Sequence, residues 1–144
     1  LSVKAIDKSV EAVRLAEKNV TLHQLEDRVS VMHHDWYQPL SLKPADMLIS
    51  NPPYIDERDE ELSHSVREHE PESAWKSQDQ GLADIRWIIK IAHTLLKPKG
   101  KLVLEHGHKQ QKLVISILED SGYSLVLKGK DANHLDRFVI ANRD

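Results

Sequence analysis

The segment Met47-Leu48-Ile49-Ser50-Asn51-Pro52-Pro53-Tyr54-Ile55-Asp56 decides how the chain is read. Its first four residues form an apolar run that reads as a short buried strand. Asn51 to Tyr54 then form a rigid turn at the strand's C-terminal end, the edge at which open α/β sheets bind ligands. Pro52 and Pro53 fix φ at two successive positions and remove two N–H donors. Pro52 also drives Asn51 into an extended conformation. The expected product is a stiff row of acceptors, the Asn51 side-chain oxygen and nearby backbone carbonyls, with an aromatic ring beside them. Such a row suits a planar –NH2 group.

Upstream, Val3-Lys4-Ala5-Ile6 reads as a strand ending at Asp7. Ser9 is a plausible N-cap for a helix carrying Val10, Val13, Ala16 and Val20 at helical spacing. Asp7, at a strand end before a helix, is placed either to accept from ribose hydroxyls or simply to cap the helix. Residues 28–33 read as a second strand, followed by His34-Asp35-Trp36. Asp35 with the Trp36 ring offers an acceptor and a stacking surface, which an adenine needs. The blander alternative is a turn aspartate and a half-buried tryptophan. Pro39 and Pro44 mark a loop before the third strand, Ala45 to Ser50.

Downstream, Asp56 to Gln80 is polar and has little periodicity, as in functional or mobile segments. A short helical turn is expected around Glu57 to Leu62. Gly81 is expected to open a helix whose apolar residues, Leu82, Ile85, Ile88, Ile89, Ala92, Leu95 and Leu96, recur at i, i+3, i+4 and i+7. Pro98 and Gly100 would end it. Lys101 to Glu105 reads as a fourth strand, closing in His106-Gly107-His108. A helix with Leu113, Val114, Ile117 and Leu118 stops at Ser121-Gly122. Tyr123 to Lys128 and His134 to Ala141 are the last strands, expected to pair antiparallel across the turn between them. The order β-α-β-β-α-β-α-β-β argues for a mostly parallel sheet with helices on both faces.

The 144 residues suffice for one domain with a core, and 40% apolar with 30% charged residues is ordinary for a globular protein. The net charge of −3 without a basic run argues against a dedicated nucleic-acid grip. There is no cysteine, which excludes disulfides and thiolate metal sites. No apolar stretch approaches the roughly 20 residues that span a bilayer. No signal peptide is visible, so a cytoplasmic protein is expected. His33-His34 and His106-x-His108 invite a metal reading. Adjacent histidines on a strand point to opposite faces, no carboxylate cluster completes either set, and no metal site is expected. Glu105, at a strand end, reads as either a catalytic group or a structural acceptor and is left outside the catalytic set.

Taken together, Asp7, Asp35-Trp36, Ser50-Asn51-Pro52-Pro53-Tyr54-Ile55-Asp56, Glu70-Pro71, Gly81-Leu82-Ala83-Asp84-Ile85 and Leu104-Glu105-His106-Gly107 with Gln110 or Gln111 resemble the HemK/PrmC family of methyltransferases. The resemblance covers nearly the whole chain, in the family's motif order. It implies the class I S-adenosylmethionine-dependent methyltransferase fold, a Rossmann-like doubly wound sheet whose last strand is antiparallel. The strands here would be the family's second to seventh. It further implies S-adenosyl-L-methionine as cofactor. The substrate would be the glutamine side-chain amide in the Gly-Gly-Gln motif of class 1 peptide chain release factors, with a role in translation termination. By that resemblance Asp7 would bind the ribose, Asp35 and Trp36 the adenine, and Asn51 would also touch the cofactor. Asn51, Pro52 and Tyr54 would form the transfer centre, and Asn51, Pro52, Pro53 and Tyr54 would hold the substrate glutamine.

Two departures stand out. The family's first strand, glycine-rich loop and upstream helical domain have no counterpart, and residues 1–80 contain no glycine. The chain, which begins at Leu1, is therefore expected to be the catalytic-domain part of a longer protein, residues 1–144 forming one domain. Two strand edges are expected to be left unpaired, and the 144 residues alone to bind the cofactor weakly or not at all. Trp75 also stands where the family more often has leucine. Three rival readings are weaker. An adenine-N6 methyltransferase would need a phosphate-binding surface and a flipped base. A nicotinamide-type Rossmann domain leaves Asn51 to Tyr54 unexplained. The third is a non-catalytic interaction module.

Overall fold

Where apolar periodicity is strong, the strands and helices largely form as the sequence suggests. The computed structural model describes residues 1–56 and 72–144. They fall into two units, Leu1–Ser41 and Leu42–Asp144. The expected helical turn at Glu57 to Leu62 and the Glu70-Pro71 motif lie outside the described residues.

The first unit contains β1 (Val3–Asp7), α1 (Val10–Leu22) and β2 (Val29–His33). β1 and β2 pair in parallel, from Val3 opposite Val29 to Asp7 opposite His33. Ser9 caps α1 as expected: its backbone is extended and its Oγ accepts the Ala12 N–H at 3.1 Å. A cap of this kind contributes about 1 kcal/mol. Val13, on the helix face toward the strands, is buried. β1 is paired along one edge only, and no described strand pairs with its other edge.

The second unit contains β3 (Ala45–Ser50), β4 (Ile55–Asp56), α2 (Glu72–Trp75), β5 (Lys76–Ser77), α3 (Gln78–Gly81), α4 (Ala83–Leu95), β6 (Leu96–Glu105), α5 (Gln111–Asp120), β7 (Tyr123–Lys130) and β8 (Asp136–Arg143). Its main sheet runs β3-β6-β8-β7. β3 and β6 are parallel, while β8 is antiparallel to both β6 and β7. The antiparallel last strand and the β7–β8 pairing thus match expectation. β4 and β5 form a separate two-residue parallel pair, Ile55 opposite Lys76. That short pairing joins the residues after Tyr54 to those before Gly81.

The core explains the order of elements. Ile85, Ile88, Ile89, Ala92 and Leu95 line one face of α4 and are buried with Leu96, Leu102 and Leu104 of β6. Val114 and Leu118 of α5 bury against β7 and β8, where Val139 and Ala141 are sealed. Each of the Val, Leu and Ile side chains among them contributes roughly 1.5–3 kcal/mol relative to exposure. Burial pushes the Tyr123 phenol up to about 12, and its hydroxyl donates to the Ile89 carbonyl at 3.1 Å. Because the folded value is raised above the ordinary value of about 10, the stabilisation is complete below that pH and lost as pH rises through about 12. Tyr123→Phe should cost about 1 kcal/mol at neutral pH. Urea unfolding at increasing pH should show the gap to wild type narrowing in that alkaline window. A constant gap would contradict the burial argument.

Three expectations need correction. Met47–Ser50 is not a buried strand: Leu48 and Ser50 are half-buried, while Met47 and Ile49 on the opposite face are 47% and 71% exposed. β3 is paired with β6 alone among the described strands. Leu96 does not belong to the helix; its extended backbone already starts β6. It pairs with Ala45, then a bulge carries Pro98, Lys99 and Gly100 before regular pairing resumes at Met47 and Lys101. The bulge accommodates a proline without a ladder donor and Lys99 at φ +64°. Gly81 does not open the long helix, which begins at Ala83. It closes a left-handed run, Asp79, Gln80 and Gly81, with φ of 54°, 57° and 77°.

Candidate active site

Asn51-Pro52-Pro53-Tyr54 follows directly from the C-terminal end of β3, as expected. Pro52 and Pro53 are buried, Tyr54 is half-buried, and Asn51 is exposed. The Asn51 amide makes no hydrogen bond to any described residue. The two prolines thus anchor the turn and leave the polar side chain at its mouth available to a ligand.

Tyr54 is gripped at both ends. Its hydroxyl donates to Glu105 Oε1 at 2.9 Å and accepts from Arg137 Nη1 at 3.1 Å. The Arg137 guanidinium carbon also lies 5.9 Å from the ring centroid, within cation–π range. Burial, followed by the hydrogen bond to Glu105, raises the phenol above its ordinary range; Arg137 opposes the shift without cancelling it. The ring therefore remains a neutral phenol at pH 7. Of the two readings of Glu105, the contact observed is that of an acceptor for Tyr54.

The backbone of Tyr54 is held by Gln110. Its Nε2 donates to the Tyr54 carbonyl and to the Gln80 carbonyl, each at 2.9 Å, and its Oε1 accepts the Gly107 N–H at 2.8 Å. Reversing the amide would set donor against donor and acceptor against acceptor, so the network itself assigns its orientation. The sequence left Gln110 and Gln111 equal; Gln110 is the one that reaches Tyr54. His106 is fully buried, with Nδ1 facing the Gly107 carbonyl at 2.9 Å. Burial, reinforced by the nearby Arg137 charge, lowers its pKa, and the imidazole is neutral at pH 7. Its Nδ1 then carries the proton given to Gly107.

In the first unit, Asp7 and Asp35 sit at the ends of β1 and β2. Asp7 Oδ1 accepts the Ser9 N–H at 2.8 Å, and Asp35 Oδ1 accepts the Tyr37 N–H at 2.9 Å. Each carboxylate therefore does the turn work of the blander reading, with its second oxygen taking no hydrogen bond from a described residue. Trp36, next to Asp35, is half-buried. Among the described residues there is no group of three or more His, Asp or Glu side chains able to hold a metal.

Arg137 and Asp131 were not singled out from the sequence. The one local signal of Arg137 was a charge near the start of an apolar strand, and Asp131 lay in the turn before it. Arg137 is 83 positions from Tyr54, and the parallel β3–β6 pairing together with the antiparallel β6–β8 register, Glu105 opposite Phe138, brings them together.

The chain is 39% identical over 135 residues to a release factor glutamine methyltransferase of Shewanella oneidensis, covering 94% of this chain and 47% of the relative. It is 40% identical over 129 residues to one of Salmonella typhimurium, covering 90% of this chain and 46% of that relative. This likeness over most of the chain agrees with the resemblance to the HemK/PrmC methyltransferases. A family model described as the methyltransferase small domain matches residues 1–69. Among solved structures, a methyltransferase from Pyrococcus furiosus superposes with a TM-score of 0.71 at 16% identity, covering 99% of this chain and 62% of that one. That likeness supports the class I methyltransferase fold. The chain spans about half the length of the Shewanella oneidensis and Salmonella typhimurium relatives. No described helix is long and apolar enough to cross a membrane.

Proposed function

We propose that residues 1–144 form the catalytic domain of an S-adenosylmethionine-dependent protein-(glutamine-N5) methyltransferase. Its substrate is the Gly-Gly-Gln glutamine of class 1 release factors. The observation that carries the reading is an exposed Asn51 amide on a turn anchored by two buried prolines, beside a Tyr54 ring held at hydroxyl and carbonyl. The names of the relatives supply the substrate class.

The residues present fit the cofactor's chemistry. Asp7 and Asp35 each keep one carboxylate oxygen for a ligand that offers hydroxyl or amino donors. Asp7 would take the ribose hydroxyls, Asp35 the adenine amino group, and Trp36 the adenine face. When bound, S-adenosylmethionine supplies an electrophilic methyl on a sulfonium.

An amide nitrogen is a poor nucleophile because its lone pair is delocalised into the carbonyl. Asn51 Oδ1 and the Pro52 carbonyl would each accept one N–H of the substrate –NH2. That orients the nitrogen and eases the positive charge gathering on it during transfer. Pro53 keeps the turn rigid, and Tyr54 packs against the flat amide. The proton leaves after transfer, so the scheme needs no strong general base. The test is transfer of labelled methyl to a purified release factor by the full-length protein. Incorporation is expected with the Gly-Gly-Gln substrate and absent when that glutamine is alanine. Equal labelling of both would overturn the assignment.

A further inference from the structure

The Tyr54 hydroxyl sits in a chain of hydrogen bonds whose direction is fixed by chemistry. Arginine has only donors, so the phenol oxygen must accept from Arg137 and send its own proton to Glu105. Arg137 is itself anchored: Nε and Nη2 both donate to Asp131 Oδ2, at 3.2 and 2.9 Å. Asp131 is fixed by the turn between β7 and β8, its Oδ1 accepting the N–H groups of Asn133 and Leu135 at 2.9 and 3.1 Å. The Arg137 fork, ahead of the turn's backbone donors, holds the Asp131 carboxyl below its usual range.

We propose that Arg137, clamped by Asp131, is a positioning residue for Tyr54: it fixes the polarity of the phenol's hydrogen bonds and hence the plane of the ring that faces the substrate. The inference rests on the reading of Asn51 to Tyr54 as the amide clamp. It adds that the Tyr54 hydroxyl has its proton and one lone pair committed to protein groups. The substrate therefore meets the ring face, and the hydroxyl moves no proton in the reaction. The β7–β8 turn, distant in sequence, becomes part of the alignment of the substrate.

A double-substitution cycle tests this on the full-length protein. Arg137→Met should lower kcat about tenfold, since small misalignments of a reacting group are costly, while KM for the release factor changes less. In a Tyr54→Phe background, which keeps the ring but removes the shared hydroxyl, Arg137→Met should change kcat by less than about twofold. A tenfold loss in both backgrounds is what a merely structural role predicts, and it would overturn the proposal. A second readout does not depend on the substrate. The chain's three tyrosines can be followed by ring 13C NMR, with Tyr54 assigned by its loss in Tyr54→Phe. The Tyr54 Cζ resonance should move in Arg137→Met and, less far, in Asp131→Asn, which keeps the turn but weakens the anchor. An unmoved resonance in both variants would overturn the proposal even if activity fell. Should the wild-type protein label no release factor, the function reading fails and the NMR arm decides the positioning by itself.

Discussion

Replacing Asn51 by alanine should reduce methyl transfer by about 10²–10³-fold with little change in stability. The two halves of this expectation have separate causes. Asn51 is exposed and bonded to no described residue, and surface changes away from packed features usually stay within about 0.5 kcal/mol. The turn around it is held by Pro52 and Pro53, both buried, and by the grip on Tyr54, none of which the substitution touches. Any large effect must therefore come from the ligand side. There the lost oxygen is one of two acceptors that would orient the substrate –NH2, and it acts most strongly as charge builds on the nitrogen. The fall should lie in kcat, with cofactor affinity reduced less. Initial rates at saturating cofactor, paired with calorimetric titration of the cofactor, separate the two. Near-normal turnover in Asn51→Ala would sink the placement of the transfer centre.

What the sequence revealed about this site, and what it hid, follows from the range of the interactions. The positions of Asp7, Asp35 and Asn51 at or just beyond strand ends were legible because each closes or follows an apolar run within two residues, and a strand end is a local feature. The antiparallel last strand was legible because the β7–β8 turn is short. The grip on Tyr54 was not. Glu105 and Arg137 stand at facing ends of β6 and β8, 51 and 83 residues from Tyr54, and no periodicity encodes such a meeting. Gly81 was misread for a similar reason. Helical spacing of the apolar residues extends smoothly from Leu82, and nothing local announces that the preceding residue turns left-handed to pass a backbone carbonyl. The exposure of Met47 and Ile49 was missed because β3 carries the apolar composition of a strand covered on both faces, whereas among the described residues only the face of Leu48 and Ser50 is even half covered.

Gly81→Ala should be among the most damaging single substitutions outside the hydrophobic core. At φ +77° a side chain is already disfavoured, by about 1–2 kcal/mol. An added Cβ would also lie 2.0 Å from the Tyr54 carbonyl oxygen and 2.7 Å from Gln110 Nε2. Those two atoms are hydrogen-bonded to each other, and the first belongs to the backbone of the Asn51–Tyr54 turn, which cannot swing aside as a flexible side chain would. Relieving the overlap must push Tyr54 away from Gln110 or move Gly81 out of line, at a further cost of about 1–3 kcal/mol for overpacking. The total, about 2–5 kcal/mol, should be visible as a lowered urea midpoint, with turnover lost at concentrations where the protein remains folded. A second variant separates strain from collision. Asparagine tolerates the left-handed region better than alanine does yet carries the same Cβ. If the collision with the Tyr54 carbonyl dominates, Gly81→Asn will be as inactive as Gly81→Ala. If Gly81→Asn recovers most of the activity, backbone strain alone was responsible, and the close approach of Gly81 to Tyr54 is not what holds the clamp.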